Sequence, residues 1–272
     1  MNKAWQRRAA TALACILAAG SGAGWLAHAR LQQLQAAFET DARIVHRLLS
    51  QRAVQHDAIL STLALLQPAA PEQGSADAAL PRLPAVYPQI LDVLRRPADG
   101  AWPAAAPALA AAEAASRASG HAALAQPDLA AGRYHLVLAS TPASYALHID
   151  LHASVPQGEW PMDRATSPVR VTLEHAGQTF TIQSGHIPAH GWTYGFRKTL
   201  AAPSQPLDVV ALRAVGWSEL PWLAMLAWCA FTAAATVAAQ ALWRQRVARR
   251  RAEELLRLGQ VARLNTLGEL AA

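Results

Sequence analysis

The sequence predicts an α+β protein in which two transmembrane helices flank a domain built from a long helix and an antiparallel sheet. Three observations lead to this prediction. Uncharged apolar runs lie near both ends of the 272-residue chain, a segment with helical periodicity follows the first run, and short strand-like segments precede the second. Hydrophobic residues make up 53% of the chain and charged residues 15%, a balance that favours a membrane protein.

The two apolar runs cover residues 9–28 and 220–243, and neither contains Asp, Glu, Lys or Arg. At 1.5 Å per helical residue, each run is long enough to cross the hydrocarbon layer of a bilayer, which is about 30 Å thick. Tryptophans lie near the ends of both runs, as is typical of residues at the membrane surface. The predicted segments are 1–8, a span at 9–28, a domain at 29–219, a span at 220–243 and a final segment at 244–272.

The distribution of positive charge sets the predicted orientation. Lys and Arg are concentrated before the first run and after the second, where the formal charges are +3 and +4, whereas residues 9–243 sum to −1. Because positive flanks stay in the cytoplasm, residues 29–219 are predicted to be extracytoplasmic. The nearly neutral middle of the chain offers no basic surface to nucleic acid. A signal peptide cleaved after the small residues around Ala27–Ala29 is the alternative to an uncleaved first span.

The middle domain begins with helical patterns and ends with strand patterns. Residues 30–66 contain no Gly or Pro and repeat apolar residues at three–four spacing, which predicts a long amphipathic helix. A second helix is predicted at 84–95 and a weak third at 104–118. A polar turn containing Gly177 predicts a hairpin over 169–183. The predicted strands are 134–138, 145–153, 169–174, 179–183, 192–200 and 207–214.

A ligand site is predicted in the strand-rich half of the domain, where polar and aromatic side chains are available to bind a small molecule. Arg197 and Lys198 in particular could bind an anion, or they could form a solvated sheet edge. The candidate ligand-binding residues are Tyr145, Arg170, Trp192, Tyr194, Arg197 and Lys198.

No metal site is predicted. His148, Asp150 and His152 would share one face of a strand, but such a row is more typical of the solvated face of a half-buried strand. Cys15 and Cys229 both lie in the apolar runs, so the middle domain has no cysteine for a disulfide or a metal site.

Two features predict pairing between copies of the chain. Gly20 and Gly24 have the small-xxx-small spacing that lets membrane helices approach closely. In the final segment, apolar residues at three–four spacing predict a helix that packs against the same helix of a second copy. The residues of this predicted signalling helix are Leu255, Leu258, Leu264 and Leu267.

The last ten residues, Arg263-Leu-Asn-Thr-Leu-Gly-Glu-Leu-Ala-Ala272, resemble the opening of the dimerisation and phosphoacceptor helix of bacterial sensor histidine kinases. The layout of residues 30–215, with a long helix before the strands, resembles the PDC/Cache-like periplasmic domains of such kinases, in which a PAS-like sheet follows the helix. These resemblances imply a homodimeric receptor of the bacterial inner membrane that senses a small molecule in the periplasm. They also imply ATP and Mg²⁺ as cofactors of a kinase domain and a response regulator as the partner.

In that family the pattern L-G-E-L-A-A leads into G-I-A-H-E, so the phosphorylated His is expected about four residues beyond Ala272. We therefore expect residues 1–272 to bind no cofactor and to be inactive as a kinase alone, as a fragment or truncated product would be. The alternatives are a Cache-type, chemoreceptor-like receptor and a non-catalytic scaffold with two membrane spans.

Overall fold

A computed structural model describes residues 3–66, 82–104, 106–125, 127–186 and 190–270, with side chains except at 3–4, 7–8 and 254–270. The chain divides into two compact units. The first unit consists of Met1–Gln33 and Glu219–Ala272, and the second is Leu34–Ser218. We refer to them as the membrane unit and the central domain.

Two long helices dominate the chain. Helix α1 covers Lys3–Leu65 and helix α5 covers Trp222–Leu270. Both contain stretches long and apolar enough to cross a membrane, in agreement with the two spans predicted from sequence. Helix α1 also confirms the predicted helix at 30–66, because the same helix continues without a break from the apolar run into the central domain.

Within the membrane unit, polar contacts join α1 to α5. The indole Nε1 of Trp228 donates to the carbonyl oxygen of Ala18 at 3.1 Å, and Gln240 Nε2 donates to Thr11 Oγ1 at 3.3 Å. Cys15 Sγ lies 3.8 Å from the carbonyl oxygen of Thr232. Polar contacts of this kind hold helices together in lipid, where water does not compete for them.

Gly22 permits the closest part of this packing, because a Cβ atom at this position would overlap the indole ring of Trp228. A Cβ at Gly20 or Gly24 would instead meet no heavy atom within 4 Å. The glycine that α5 uses therefore differs from the pair predicted to mediate dimers. Pairing between copies through Gly20 and Gly24 stays a prediction.

We expect Gly22→Val to loosen the α1–α5 contact, because overpacking of this kind costs about 1–3 kcal/mol. The measurement is an intrachain disulfide between Cys15 and Thr232→Cys, in a chain that also carries Cys229→Ser. Its rate of formation should fall about tenfold with Gly22→Val. Gly20→Val adds the same side chain in open space and should leave the rate unchanged; equal rates in the two variants would contradict the packing described here.

The central domain contains two four-stranded antiparallel sheets. The first has the strand order β1-β4-β3-β2 and the second the order β6-β5-β8-β7. The strands of the first sheet are β1 (Ile90–Pro97), β2 (Ala123–Leu124), β3 (Arg133–Leu138) and β4 (Ala143–Asp150). Those of the second are β5 (Val169–His175), β6 (Gln178–Gln183), β7 (Trp192–Thr199) and β8 (Asp208–Val215). Shorter helices are α2 (Leu83–Val86), α3 (Ala108–Ser119) and α4 (Leu151–Ser154).

This arrangement confirms the predicted α+β class, with two antiparallel sheets in place of the expected single one. The predicted hairpin over 169–183 is present as β5 and β6. Its turn places Ala176 at φ 47° and Gly177 at φ 82°, the pair of positive angles that a tight hairpin turn requires. The weak helix predicted at 104–118 is present as α3.

Two boundaries predicted from sequence are wrong. The helix expected at 84–95 ends at Val86, and Ile90–Pro97 forms a strand instead. The apolar spacing of this segment fits either structure, and antiparallel pairing with β4 decides the outcome. The strand expected at 145–153 ends at Asp150, whose carboxylate accepts from the backbone N–H of His152 at 2.9 Å and caps α4.

The main core joins α1 to the inner faces of both sheets. Phe38, Val45 and Leu60 on α1 are each at most 1% exposed and belong to the same cluster as Leu147 and Val171. A smaller core lies on the opposite face of the first sheet, where α3 packs over β3 and β4. Its fully buried members are Leu109, Ala112, Ala125, Val137 and Ala146.

A buried polar cluster ties α1 to the first sheet. Tyr134 Oη donates to Gln205 Oε1 at 2.6 Å and lies 3.3 Å from His56 Nδ1, while Gln205 Nε2 donates to the carbonyl of Ala53 at 2.9 Å. His56 Nε2 is buried with no hydrogen-bond partner among the described atoms. Burial lowers the pKa of His56 to about 4, and the charge of Arg52 acts in the same direction, although the hydrogen bond with Gln205 opposes them.

We expect this histidine to make the central domain less stable in acid. An unfolded histidine takes up its proton near pH 6.5, whereas folded His56 resists protonation until about pH 4, so stability falls as the pH drops through this window. The loss is about 3 kcal/mol if the whole shift is realised. His56→Leu should remove this part of the pH dependence, as measured by denaturant unfolding at pH 7 and pH 4.5. The exposed His121→Leu serves as the control, and an unchanged slope in His56→Leu would refute the assignment.

Candidate functional site

The face of the first sheet that α3 covers is polar at both ends and apolar in the middle. Pairing between β1, β4 and β3 aligns side chains across the strands. Along the strands, the successive rows are Asp92–His148–His135, Leu94–Ala146–Val137 and Arg96–Ser144. Because the apolar row packs beneath α3, the two polar rows lie at opposite ends of the covered face.

The row of histidines borders a cavity of about 380 Å³. The imidazole rings of His135 and His148 are stacked, with centroids 4.3 Å apart and planes inclined by 12°. Arg133, Asp128 and the residues around the start of α3, Ala106–Leu109, complete the wall. We call this space the histidine cavity. Its volume is at the lower end of the range of small-molecule sites, about 300–1,000 Å³.

Burial and nearby positive charges lower the pKa of both imidazoles, which favours their neutral forms. For His148, burial lowers the pKa and Arg133 adds to this effect, whereas Asp92 and Asp150 oppose it. For His135, burial again lowers the pKa most and the charge of His148 lowers it further, against the influence of Asp92. Each neutral ring carries one N–H donor and one acceptor nitrogen.

The cavity wall combines these rings with an available positive charge. The Arg133 side chain is exposed and forms no hydrogen bond or salt bridge within the described part of the chain. A guanidinium beside two imidazole N–H groups can bind an acidic group and hydrogen-bond a neighbouring polar group of the same molecule. Because Asp128 in the same wall carries a negative charge, a small polar molecule with both an acidic group and a hydrogen-bond donor matches the chemistry of the histidine cavity best.

The potential metal ligands His148, Asp150 and His152 do not lie in one row on a strand face, as the sequence suggested they could. His148 lies on β4, but His152 lies on α4, where its Nδ1 is 3.1 Å from Asp150 Oδ1. Within the described residues, no group of three or more His, Cys, Asp or Glu side chains could hold a metal ion.

The six ligand-binding residues predicted from sequence lie on both sheets. Tyr145 is buried in the main core on β4 of the first sheet. Arg170 lies on β5, where its Nε donates to the carbonyl of Ser184 at 3.1 Å. The other four lie on β7 and are Trp192, Tyr194, Arg197 and Lys198. None of the six lines the histidine cavity.

Arg197 is held by neighbouring strands. Its guanidinium forms salt bridges with Glu174 on β5 and with Asp208 on β8, the latter at 3.1 Å. Thr199 Oγ1 also donates to Asp208, at 2.7 Å. Two carboxylates already neutralise Arg197, so this cluster matches the solvated sheet edge considered from sequence more closely than an anion site.

The stacked histidines were not identified from the sequence, although a signal was present. Leu138 ends the predicted strand 134–138 and pairs with Tyr145, which begins the predicted strand 145–153. His135 lies three residues before Leu138, and His148 lies three residues after Tyr145. Had these strands been treated as one hairpin, antiparallel pairing would have placed His135 opposite His148. The missing step was the register across the connection at 139–142.

The predicted signalling helix coincides with the end of α5, whose backbone is helical to Leu270. The side chains of Leu255, Leu258, Leu264 and Leu267 lie outside the described residues. Their pairing with a second copy stays a prediction.

Comparisons with protein-family models, with curated proteins and with solved structures found no match to this chain. The function proposed below therefore depends on the chain's own geometry and sequence.

Proposed function

We propose that this chain is the input half of a membrane-bound sensor histidine kinase, with Leu34–Ser218 as its extracytoplasmic sensor domain. One observation carries the proposal. Helices apolar enough to cross a membrane precede and follow the domain along the chain. The second continues as one helix to Leu270, through the segment that resembles a phosphoacceptor helix. A continuous helix can transmit a displacement from the domain to a catalytic module beyond the membrane.

The charge distribution and the domain layout support the same proposal. Arg244, Arg246 and Arg249–Arg251 follow the second apolar stretch directly and favour the cytoplasmic side. In the central domain a long helix precedes antiparallel strands, as in PDC/Cache-like periplasmic domains, although the strands form two sheets. The corresponding location is the inner membrane of a bacterium, with the sensor domain in the periplasm.

The histidine cavity is the site where we place the signal molecule. Its walls include the histidines on β3 and β4, Asp128 and Arg133 in and just before β3, and Ala106–Leu109 around the start of α3. A ligand that binds one arrangement of these elements more tightly shifts the population toward it. Two connections lead from the domain to the membrane unit, namely α1 itself and strand β8, which is followed by the turn Trp217–Glu219 and α5.

The proposal includes the partners that the resemblance implies. Two copies pair as a homodimer in the bilayer, and the signal controls phosphorylation of a histidine by ATP and Mg²⁺ in a kinase domain. The phosphoryl group then passes to a response regulator. Residues 1–272 contribute reception and transmission, which require no nucleotide.

Reporter fusions test the orientation. Alkaline phosphatase fused at Gly120, the exposed left-handed residue that ends α3, should be active, and a green fluorescent protein fused after Arg250 should fluoresce. The reciprocal fusions are the matched controls and should be silent. An active phosphatase after Arg250, or fluorescence at Gly120, would contradict a periplasmic sensor domain.

A chimaera tests the signalling role. The chain is joined at Ala272, in frame, to a catalytic module of a sensor kinase whose helix continues the L-G-E-L-A-A pattern, and phosphohistidine is measured in membranes. Inserting four residues after Arg251 rotates the helix phase by about 40°, whereas seven residues restore it to within about 20°. The amount of phosphohistidine should change at least tenfold when four residues are inserted and much less when seven are inserted. The same amount of phosphohistidine after both insertions would favour the scaffold alternative. Without the catalytic module, residues 1–272 should acquire no phosphohistidine.

A further inference from the structure

A second cavity lies at the other end of the face covered by α3, and the signalling proposal does not use it. Its volume is about 340 Å³. Arg96 on β1 and Arg117 on α3 line it together with Ser140, Thr141 and Ser144 of the β3–β4 connection and β4. We call it the arginine cavity.

Both guanidinium groups contact the carboxylate of Glu113, which accepts four hydrogen bonds from the described residues. Glu113 Oε1 accepts from Arg96 Nη2 at 2.7 Å, from Arg117 Nη2 at 2.9 Å and from Ser144 Oγ at 2.7 Å. Its Oε2 accepts from Trp102 Nε1 at 2.8 Å. Two positive charges against one negative charge leave this cluster with a net charge of +1.

Hydrogen-bond donors remain available at the cavity wall. Arg117 uses only Nη2 within the described residues, and its side chain is 67% exposed. The hydroxyl groups of Ser140 and Thr141 have no hydrogen-bond partner in the described part of the chain. A site with spare donors, a positive charge and no free carboxylate suits a ligand that only accepts hydrogen bonds.

We propose that the arginine cavity binds a small oxyanion of the phosphate or sulfate type, either free in solution or as the phosphate of a lipid headgroup. Arg117 provides the charged hydrogen bonds, and Ser140 and Thr141 donate the neutral ones. Arg96 lies behind them, fixed by Glu113 and by a cation–π contact with Trp102 at 5.9 Å, and adds to the positive potential. This assignment is independent of the histidine cavity and of kinase signalling.

Chemical footprinting of arginine tests the proposal on the full chain in phosphatidylcholine nanodiscs. Phenylglyoxal modification of individual arginines is followed by peptide mass spectrometry with and without inorganic phosphate or sulfate. Arg43 is the matched control, because it is 69% exposed and forms a 2.9 Å salt bridge one helical turn from Glu39, as Arg117 does with Glu113. Either oxyanion should slow modification of Arg117 at least fivefold and leave that of Arg43 within twofold.

Further measurements distinguish a lipid headgroup from a soluble ion as the source of the oxyanion, and they test whether the protection is specific. Protection of Arg117 in phosphatidylglycerol nanodiscs without added phosphate would assign the site to a lipid headgroup, and protection by free phosphate alone would assign it to a soluble ion. Ser140→Ala with Thr141→Ala should raise the half-protecting concentration about tenfold, because two neutral hydrogen bonds are lost. His135→Phe should leave it unchanged. Equal protection of Arg43 and Arg117, or no protection in any arm, would overturn the proposal.

Discussion

Replacing Glu113 with alanine is expected to destabilise the central domain by about 3–5 kcal/mol, the cost of removing one partner from a buried ion pair. Glu113 is 4% exposed and joins α3 to β1 through Arg96 and to β4 through Ser144. Without the carboxylate, the Arg96 side chain stays 80% buried and its positive charge loses the negative charge that it contacts. Denaturant unfolding of the full chain in detergent, followed by near-ultraviolet circular dichroism, measures the loss.

The matched control is Glu39→Ala, which removes the exposed salt bridge between Glu39 and Arg43. This salt bridge has the same one-turn spacing and the same 2.9 Å distance as the one between Glu113 and Arg117. Exposed pairs of this kind contribute about 0–1 kcal/mol, so the control should change stability little. Equal destabilisation by the two substitutions would show that the Glu113 cluster does not hold α3 to the first sheet.

The same carboxylate should give a recognisable acid response. Burial raises the pKa of Glu113, but hydrogen bonds from Ser144 and Trp102 and the charges of Arg96 and Arg117 together outweigh burial and lower it. A lowered pKa in the folded state stabilises the fold above the ordinary value of 4.5, and this contribution disappears as the pH falls below it. The Glu113→Ala variant should therefore differ from the unmodified chain more at pH 7 than at pH 3.

The second large effect is expected in the signalling helix. If two copies of α5 pack through Leu255, Leu258, Leu264 and Leu267, single cysteines across residues 255–270 should crosslink between chains at three–four periodicity. The experiment uses a background in which Cys15 and Cys229 are replaced. Changing both Leu264 and Leu267 to Asp would bury two like charges per chain against the partner, costing several kcal/mol, and should abolish the crosslinks.

Asn265→Asp is the matched control, because it adds a charge to the same turn at a position outside the apolar spacing. It should preserve the crosslinking pattern, and membrane insertion should be unchanged in both variants. Uniform crosslinking across 255–270 in the unmodified helix would contradict a paired coil.

Sequence alone was sufficient where the determining interactions are local. The two long apolar helices follow from the uncharged runs at 9–28 and 220–243, and the helix at 30–66 follows from apolar periodicity without Gly or Pro. The hairpin at 169–183 follows from turn residues between two alternating segments. Each of these features depends on neighbours within a few positions in the chain.

Only the tertiary structure decided which segments meet. Residues 90–97 fit a helix or a strand by spacing, and pairing with β4 made them a strand and divided the strands into two sheets. Pairing of β3 with β4 set His135 against His148, whereas the predicted site residues were distributed over both sheets. Residue types along the chain indicate which chemistry is available. Contacts between distant segments determine which side chains share a cavity, because cross-strand register and helix placement depend on packing that is not local.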